Sequence, residues 1–230
     1  MHRRRVVELA TMSVVTLSVA GCTNEPAGTE GGEDHAGAGG GNETSEEEED
    51  EPANEPDGQK FTGANVGIVD DVSLRGGLTI IDATHQGDDE FGVRLIPEDG
   101  DGFLFADSSG SYAGQTAWHT PGGTYELSVV ADGDWEVIVQ QPRDTSGDRP
   151  PVSIAGEGNE VHGPFEFGGR HWPSGDYEGE EIGVNVLSAS DTSRTFVFHQ
   201  GSITNPTAFD FDGVGYLEVK SDGEWSIEID

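Results

Sequence analysis

Cysteine and the basic residues are what this sequence of 230 residues has least of. It contains one cysteine, Cys22, and 11 Lys and Arg residues against 45 Asp and Glu, for a formal net charge of −34. A single cysteine excludes an intramolecular disulfide. Because phosphate contacts need Lys and Arg, the charge balance argues against nucleic acid as a partner.

The acidic residues run through the whole chain rather than forming one tail. Residues 45–59 are a concentrated acidic run, yet residues 61–230 still carry 31 Asp and Glu against seven Lys and Arg. Such a surface repels itself in dilute buffer. At molar salt the Debye length falls to about 3 Å and the repulsion is screened. This composition is typical of a protein from an extreme halophile.

Long hydrophobic runs are also absent. The apolar stretch from Val6 to Ala20 is interrupted by Glu8, and its clean part of about 12 residues is shorter than the ~20 that a membrane-spanning helix needs. Basic residues precede it at positions 3–5. A basic start followed by a short apolar segment predicts a cleavable signal peptide over residues 1–21.

Two short motifs refine this prediction. Residues 3–7 read Arg-Arg-Arg-Val-Val, in which Arg3 and Arg4 fit the twin-arginine export pattern, and residues 19–22 read Val-Ala-Gly-Cys, which fits a lipobox. Together they resemble the signal peptides of haloarchaeal lipoproteins, over residues 1–22 only. The resemblance implies that Cys22 is lipidated and becomes the new N-terminus, on the extracytoplasmic face of the cell membrane. An ordinary export signal with three arginines is the alternative route.

The segment after the cysteine is polar and has no apolar periodicity. Residues 22–57 are rich in Gly, Glu, Asp and Asn, and too little apolar surface is present to offset chain entropy. We therefore expect a lipid-anchored, disordered acidic linker, which like charges would extend. Asn42 begins the sequon Asn-Glu-Thr, which is an N-glycosylation candidate.

The remainder of the chain divides into two similar halves. Residues 131–139 (ADGDWEVIV) match residues 221–229 (SDGEWSIEI), and residues 85–96 match residues 177–187 with one deletion. The offsets of 90 and about 91 residues predict a tandem repeat, with domains at 58–143 and 150–230. The Pro-rich and charged stretch between the halves marks a boundary.

Apolar residues in both halves alternate with a period of two. Trp135, Val137 and Val139 share one face of a strand, and Gly-, Asp- and Ser-rich turns separate such runs. The pattern predicts an all-β chain with two tandem antiparallel β-sandwich (or small barrel) domains. In the repeated Asp-Gly-(Asp/Glu)-Trp turn, we expect the glycine to supply a positive φ and the tryptophan to enter the core.

Motifs for catalysis or cofactor binding are scarce. Acidic turns at 98–102, 132–134 and 210–213 could offer oxygen ligands to calcium, but none completes a calcium-loop pattern. No nucleophile elbow, phosphate loop or zinc spacing is present. We therefore expect no metal, no cofactor and no enzyme activity.

One segment stands out from the repeat. Residues 170–176 (RHWPSGD) replace a strand-like stretch of the first half, and Pro173 and Gly175 suit a loop. Arg170, His171 and Trp172 give this predicted loop the composition of a recognition patch. The alternative is that Trp172 caps the sandwich.

These features predict a cell-surface lipoprotein that presents two β-sandwich modules on a flexible stalk. Its expected partners are the membrane, through the lipid on Cys22, and an envelope protein or glycan, and its role is binding or structural. The alternatives are a calcium-dependent adhesion or carbohydrate-binding module, and an accessory or hydrolytic enzyme subunit. A fold alone decides none of these.

Overall fold

All the regular elements in the described part of the chain are β-strands. The computed structural model describes residues 58–199 and 208–230, which belong to one compact unit, Pro52–Asp230. The predictions for Arg3, Arg4, Cys22, Asn42 and the acidic linker lie outside the described residues and stay predictions. None of the described residues forms a helix long and apolar enough to cross a membrane.

Among the described residues, the first half contains six strands and the second half contains nine. In the first half they are β1 (Gln59–Ala64), β2 (Gly67–Gln86), β3 (Glu90–Pro97), β4 (Phe103–Ser109), β5 (Tyr112–Val130) and β6 (Asp134–Gln140). In the second half they are β7 (Val152–Glu157), β8 (Glu160–Phe167), β9 (Arg170–His171), β10 (Pro173–Glu178), β11 (Ile182–Ser188), β12 (Arg194–His199), β13 (Phe209–Asp210), β14 (Gly213–Ser221) and β15 (Glu224–Ile229).

In the first half a single antiparallel sheet folds over its own core. Its strand order is β1-β6-β2-β5-β3-β4. The long strands β2 and β5 pair along most of their length. Of β2 only the last part pairs with β6, and of β5 only the last part pairs with β3. Val72 and Leu74 from the start of β2 share one core with Ile81 and Ala83 from its end. Both ends of the strand therefore face the same interior.

The second half has the same strand order in two sheets. One sheet is β10-β15-β7 and the other is β12-β11-β14-β8, and β9 and β13 form a short pair of their own. The strands β8 and β10 take the places of the two ends of β2. The register repeats too, because His85 pairs with Trp135 in β6 and Tyr177 pairs with Trp225 in β15.

The prediction of an all-β fold built from antiparallel sheets is confirmed. None of the sheets in the described ranges is closed, so the fold is sandwich-like. The division into separate domains at 58–143 and 150–230 stays a prediction.

The prediction of a loop at residues 170–176 is wrong. Arg170–His171 form β9 and Pro173–Glu178 form β10. Proline is tolerated at the first residue of an edge strand, and Pro173 begins β10, which pairs with β15 alone in its sheet. Gly175 is needed because a Cβ there would collide with the carbonyl oxygen of Ser226 on β15. The residues that resembled a loop are edge-strand residues.

The expected role of the glycine in the repeated turn is also wrong. Gly133 and Gly223 are not among the glycines with positive φ. They are required for space, because a Cβ on Gly133 would collide with the carbonyl oxygen of Gln86, and one on Gly223 with that of Glu178. The expectation for the tryptophans is confirmed, since Trp135 and Trp225 are buried.

Candidate functional site

Of the three residues singled out as a recognition patch, two are exposed and one is buried. Arg170 is exposed and its Nη2 donates to Asp210 Oδ2 at 3.0 Å. His171 is buried against Phe167 and Phe209, with ring centroids 5.3 and 5.5 Å away. Trp172 is 58% exposed, so more than half of its side chain faces solvent. The assignment of a ligand to these residues stays a prediction, and His171 is not accessible to a ligand in this structure.

The aspartates of the two repeated Asp-Gly turns, Asp132 and Asp222, accept internal hydrogen bonds. Asp222 accepts bonds from the backbone amides of Glu180 and Glu181 at 3.0–3.2 Å. Asp132 does the same for the amides of Asp88 and Asp89 at 3.2 Å. In residues 58–199 and 208–230 no three His, Cys, Asp or Glu side chains come together as a metal site. The turns therefore tie hairpins together.

The hydrogen bonds from these backbone amides lower the pKa of both carboxyl groups. The amides of Glu180 and Glu181 hold the pKa of Asp222 below its usual value, against a smaller effect of burial. Burial tends to raise the pKa of Asp132, but the amides of Asp88 and Asp89 and the nearby His85 lower it overall. A carboxylate that accepts several N–H bonds is stabilised in its charged form.

His85 is a buried histidine of the first half that lies next to the carboxylate of Asp132. Its ring stacks on Phe91 with centroids 4.7 Å apart, and Nδ1 lies 2.9 Å from the carbonyl oxygen of Gly110. Nε2 lies 3.1 Å from Asp132 Oδ1 without hydrogen-bond geometry. The side chain is fully enclosed, so His85 cannot reach a substrate in this conformation and serves the packing of the hairpin.

A third apolar cluster joins the two halves. Leu78, Ile80 and Ala117 from the first half pack with Leu187, Ala189 and Tyr216 from the second. Hydrogen bonds reinforce the contact. The amide of Gln115 donates to the carbonyl oxygen of Asn159 at 2.8 Å, and His119 Nε2 lies 2.8 Å from that of Ser188. The junction is therefore a packed interior, which holds side chains from both halves at fixed positions.

Beside this cluster lies a fully buried carboxylate, Glu218 of β14. Its Oε1 accepts a bond from the amide of Ala117 at 3.1 Å and lies 3.4 Å from Lys220 Nζ. Its Oε2 accepts bonds from Arg194 Nη2 at 3.0 Å and from Asn185 Nδ2 at 3.3 Å. A buried charge is tolerated only when it is paired and hydrogen-bonded. Glu218 thus fixes two cations at the junction.

The same two cations cover an indole ring from the first half. Arg194 Cζ lies 5.5 Å and Lys220 Nζ 5.8 Å from the ring centroid of Trp118, within the range of cation–π attraction. Arg194 also lies 5.7 Å from the ring of Phe196, which is 66% exposed. We call Trp118, Arg194, Phe196 and Lys220 the junction patch.

The indole of Trp118 is held in place by contacts with the first half. Trp118 Nε1 donates to the carbonyl oxygen of Leu104 on β4 at 3.0 Å, and its ring packs against the first core. Because Trp118 is fixed on both its polar and apolar sides, the cations rest on a rigid platform. The junction patch therefore combines positive charge with exposed aromatic surface, in a chain with 45 acidic and only 11 basic residues.

No motif in the sequence indicates the junction patch. Arg194 and Lys220 follow Trp118 by 76 and 102 positions, so no local motif contains them. The available signal was the scarcity of cations. Each Lys or Arg in so acidic a chain is a candidate for a specific role, and two of them lie close together on β12 and β14.

Comparison with known proteins adds no assignment. No protein-family model matches the chain, and no curated protein matches it.

Proposed function

We propose that this chain is a lipid-anchored protein of the extracytoplasmic membrane face that binds another envelope component without catalysing a reaction. The observation that supports binding is the junction patch, in which Arg194 and Lys220 lie over Trp118 and Arg194 also lies over the exposed ring of Phe196. Aromatic residues and arginine in a fixed arrangement are typical of binding hot spots.

The chemistry of the junction patch suits binding rather than bond breaking. Its four side chains provide charge and aromatic surface, and the ammonium group of Lys220 is held in an ion pair with Glu218. The patch itself contains no hydroxyl, thiol or imidazole group to act as a nucleophile or as a general base.

The anchoring part of the proposal rests on the lipobox that ends at Cys22 and on the basic start with Arg3 and Arg4. The substitution Cys22→Ser removes the thiol that would carry the lipid. We expect the variant to move from the membrane fraction into the medium of the producing cells. Membrane retention equal to that of the unsubstituted chain would contradict anchoring through Cys22.

The binding part is tested with the secreted Cys22→Ser chain and washed envelopes, in buffer of molar salt. We expect the chain to sediment with envelopes, and the further substitutions Phe196→Ser and Lys220→Gln to release it. Arg170→Gln with Trp172→Ser tests the competing site on β9 and the residue that follows it. Release by that pair alone would move the binding surface there, and absence of sedimentation would contradict envelope binding.

A further inference from the structure

We propose that the junction patch binds an acidic glycan, a polysaccharide whose sugars carry separate carboxylate groups. This inference rests on the proposed function and names the ligand class of the same site. The juxtaposition that carries it is two cations held by one buried carboxylate next to an exposed aromatic ring, at a junction of two acidic halves.

Charge complementarity requires an anionic group in the ligand. Arg194 and Lys220 share the single carboxylate of Glu218, so the three groups together carry one excess positive charge. Residues 61–230 carry 31 acidic groups, and a cationic ligand would have many other places to bind. An anionic group in direct contact with the two cations is attracted to the junction patch, and the acidic surface around the patch offers no such contact.

The cations retain donors for such a ligand. An ammonium group has three N–H donors and a guanidinium has five. Among the ion pairs of residues 58–199 and 208–230, Lys220 takes part only in the 3.4 Å contact with Glu218. Arg194 donates to Glu218 through Nη2, and its Nε is buried without an acceptor in the described part of the chain, so the donors left for a ligand are the remaining N–H groups on its two Nη atoms. Glu218 therefore positions both side chains without saturating them.

The aromatic part of the junction patch requires an apolar face in the ligand. The ring of Phe196 projects from β12 and is 66% exposed. A pyranose ring has one face of C–H groups that can lie against an aromatic ring, and its hydroxyl rim stays hydrated. A uronic acid adds a carboxylate to the edge of that ring. This combination matches the exposed ring of Phe196 beside Arg194, with Lys220 held on the same carboxylate.

The small number of cations in the junction patch and the screening by salt limit how densely charge can be spaced on the ligand. A dense polyanion such as a nucleic acid binds by neutralising many phosphates, and the patch offers only two cations. At molar salt the Debye length is about 3 Å, so only charges in direct contact contribute. A polymer with one carboxylate per one or two sugars meets both conditions.

A peptide strand fits this surface less well. The strand β12 is the edge of its sheet, but its pairing with β11 is irregular between Val184 and Asn185, where Phe198 and Phe196 are consecutive partners. Irregular edges resist the addition of a further strand. The patch also draws its side chains from β5, β12 and β14 rather than from one edge. An acidic peptide is therefore the competing outcome of the test.

The experiment uses the whole secreted Cys22→Ser chain and titration calorimetry in molar salt. The probes are oligosaccharides of hyaluronan, in which a uronic acid alternates with a neutral sugar, the same oligosaccharides with their carboxyl groups reduced, and poly-L-glutamate. We expect binding to hyaluronan alone. Lys220→Gln and Phe196→Ser, introduced singly, should each weaken it by about tenfold or more, which corresponds to about 1.4 kcal/mol.

Lys60→Gln and Ile68→Ser serve as matched controls, because the Lys60 side chain is 57% exposed and Ile68 is 61% exposed, both outside the patch. Both should bind as the parent chain does, and thermal unfolding checks that all four variants fold. Equal binding to the reduced oligosaccharides would overturn the acidic class. Binding to poly-L-glutamate alone, no binding to any probe, or no effect of either patch substitution would overturn the proposal. If envelope sedimentation still depends on Phe196 and Lys220, the proposed function survives and only the ligand class fails.

Discussion

Trp135 and Trp225 make the same contact 90 positions apart. The indole Nε1 of Trp135 donates to the carbonyl oxygen of Asn65 at 2.8 Å, and that of Trp225 to the carbonyl oxygen of Gly158 at 3.0 Å. Both acceptor residues have positive φ, 60° at Asn65 and 74° at Gly158. The repeat therefore preserves a left-handed backbone position together with the indole donor that its carbonyl oxygen accepts.

The glycine in the turn before Trp225 yields a residue-scale prediction. Gly223→Ala places a methyl group against the carbonyl oxygen of Glu178, and such overpacking costs about 1–3 kcal/mol of unfolding free energy. Gly183→Ala is the matched control, because Gly183 lies in a strand with nothing within 4 Å of its added Cβ. Denaturant unfolding should show the loss for Gly223→Ala only. Equal stability of both variants would contradict a packing role for Gly223.

Asp222 in the same turn yields a prediction about pH. Its pKa is lower in the folded chain than the unfolded value of about 3.9. Its contribution to stability is therefore complete above that unfolded value and is lost as the pH falls through the folded pKa. In Asp222→Asn, Tm should fall less steeply between about pH 4 and pH 2 than in the parent chain. Glu224→Gln is the control, because it removes a charge from the same turn and leaves the hydrogen bonds from the backbone amides to Asp222 in place. A slope unchanged in Asp222→Asn would contradict the argument.

At the scale of strands, Glu218 of β14 connects two sheets of different halves. Its carboxylate accepts the amide of Ala117 on β5 and holds Arg194 on β12. The bond to Ala117 is a contact between halves that no repeat of the sequence could indicate. It makes the arrangement of β5 against β14 dependent on one buried side chain.

We expect Glu218→Ala to lower the unfolding free energy by about 3 kcal/mol, because removing one partner leaves a buried amide and two cations without their acceptor. Glu166→Ala is the matched control. Glu166 pairs with Arg149 at 2.6 Å, but the Arg149 side chain is exposed, and exposed pairs contribute about 0–1 kcal/mol. Denaturant titration of the whole secreted chain compares the two variants. Similar losses would show that the buried network adds nothing beyond a surface pair.

The strands themselves could largely be predicted from the sequence, because the alternation of apolar and polar residues that decides which side chains face the core is a local property. Alternation placed Trp135 and Trp225 in the core correctly. The segment at Pro173 was misread because proline and glycine indicate loops by composition, while an edge strand that lacks one neighbour accepts both. The junction patch could not be predicted, because it depends on pairing among β5, β12 and β14, whose residues are distant in the chain.

At the scale of the whole molecule, acidic charge is spread evenly over both halves, while the apolar contact between the halves is concentrated in one cluster. Residues 61–150 carry 16 Asp and Glu, and residues 151–230 carry 15. The two halves therefore repel each other across the apolar cluster of Leu78, Ala117 and Leu187 that joins them. Burial of apolar surface opposes that repulsion without depending on charge. Salt should shift the balance between the two terms.

We expect the Tm of the secreted chain to rise with KCl concentration, with most of the increase between 0.1 and about 1 M. Over that interval the Debye length falls from about 10 to about 3 Å, so repulsion among the acidic groups is screened at the distances that separate surface charges. Sucrose, which strengthens burial without screening charge, is the control and should raise Tm by less over its soluble range. A Tm that is flat in KCl, or that rises equally in sucrose, would show that charge repulsion does not limit the stability of this fold.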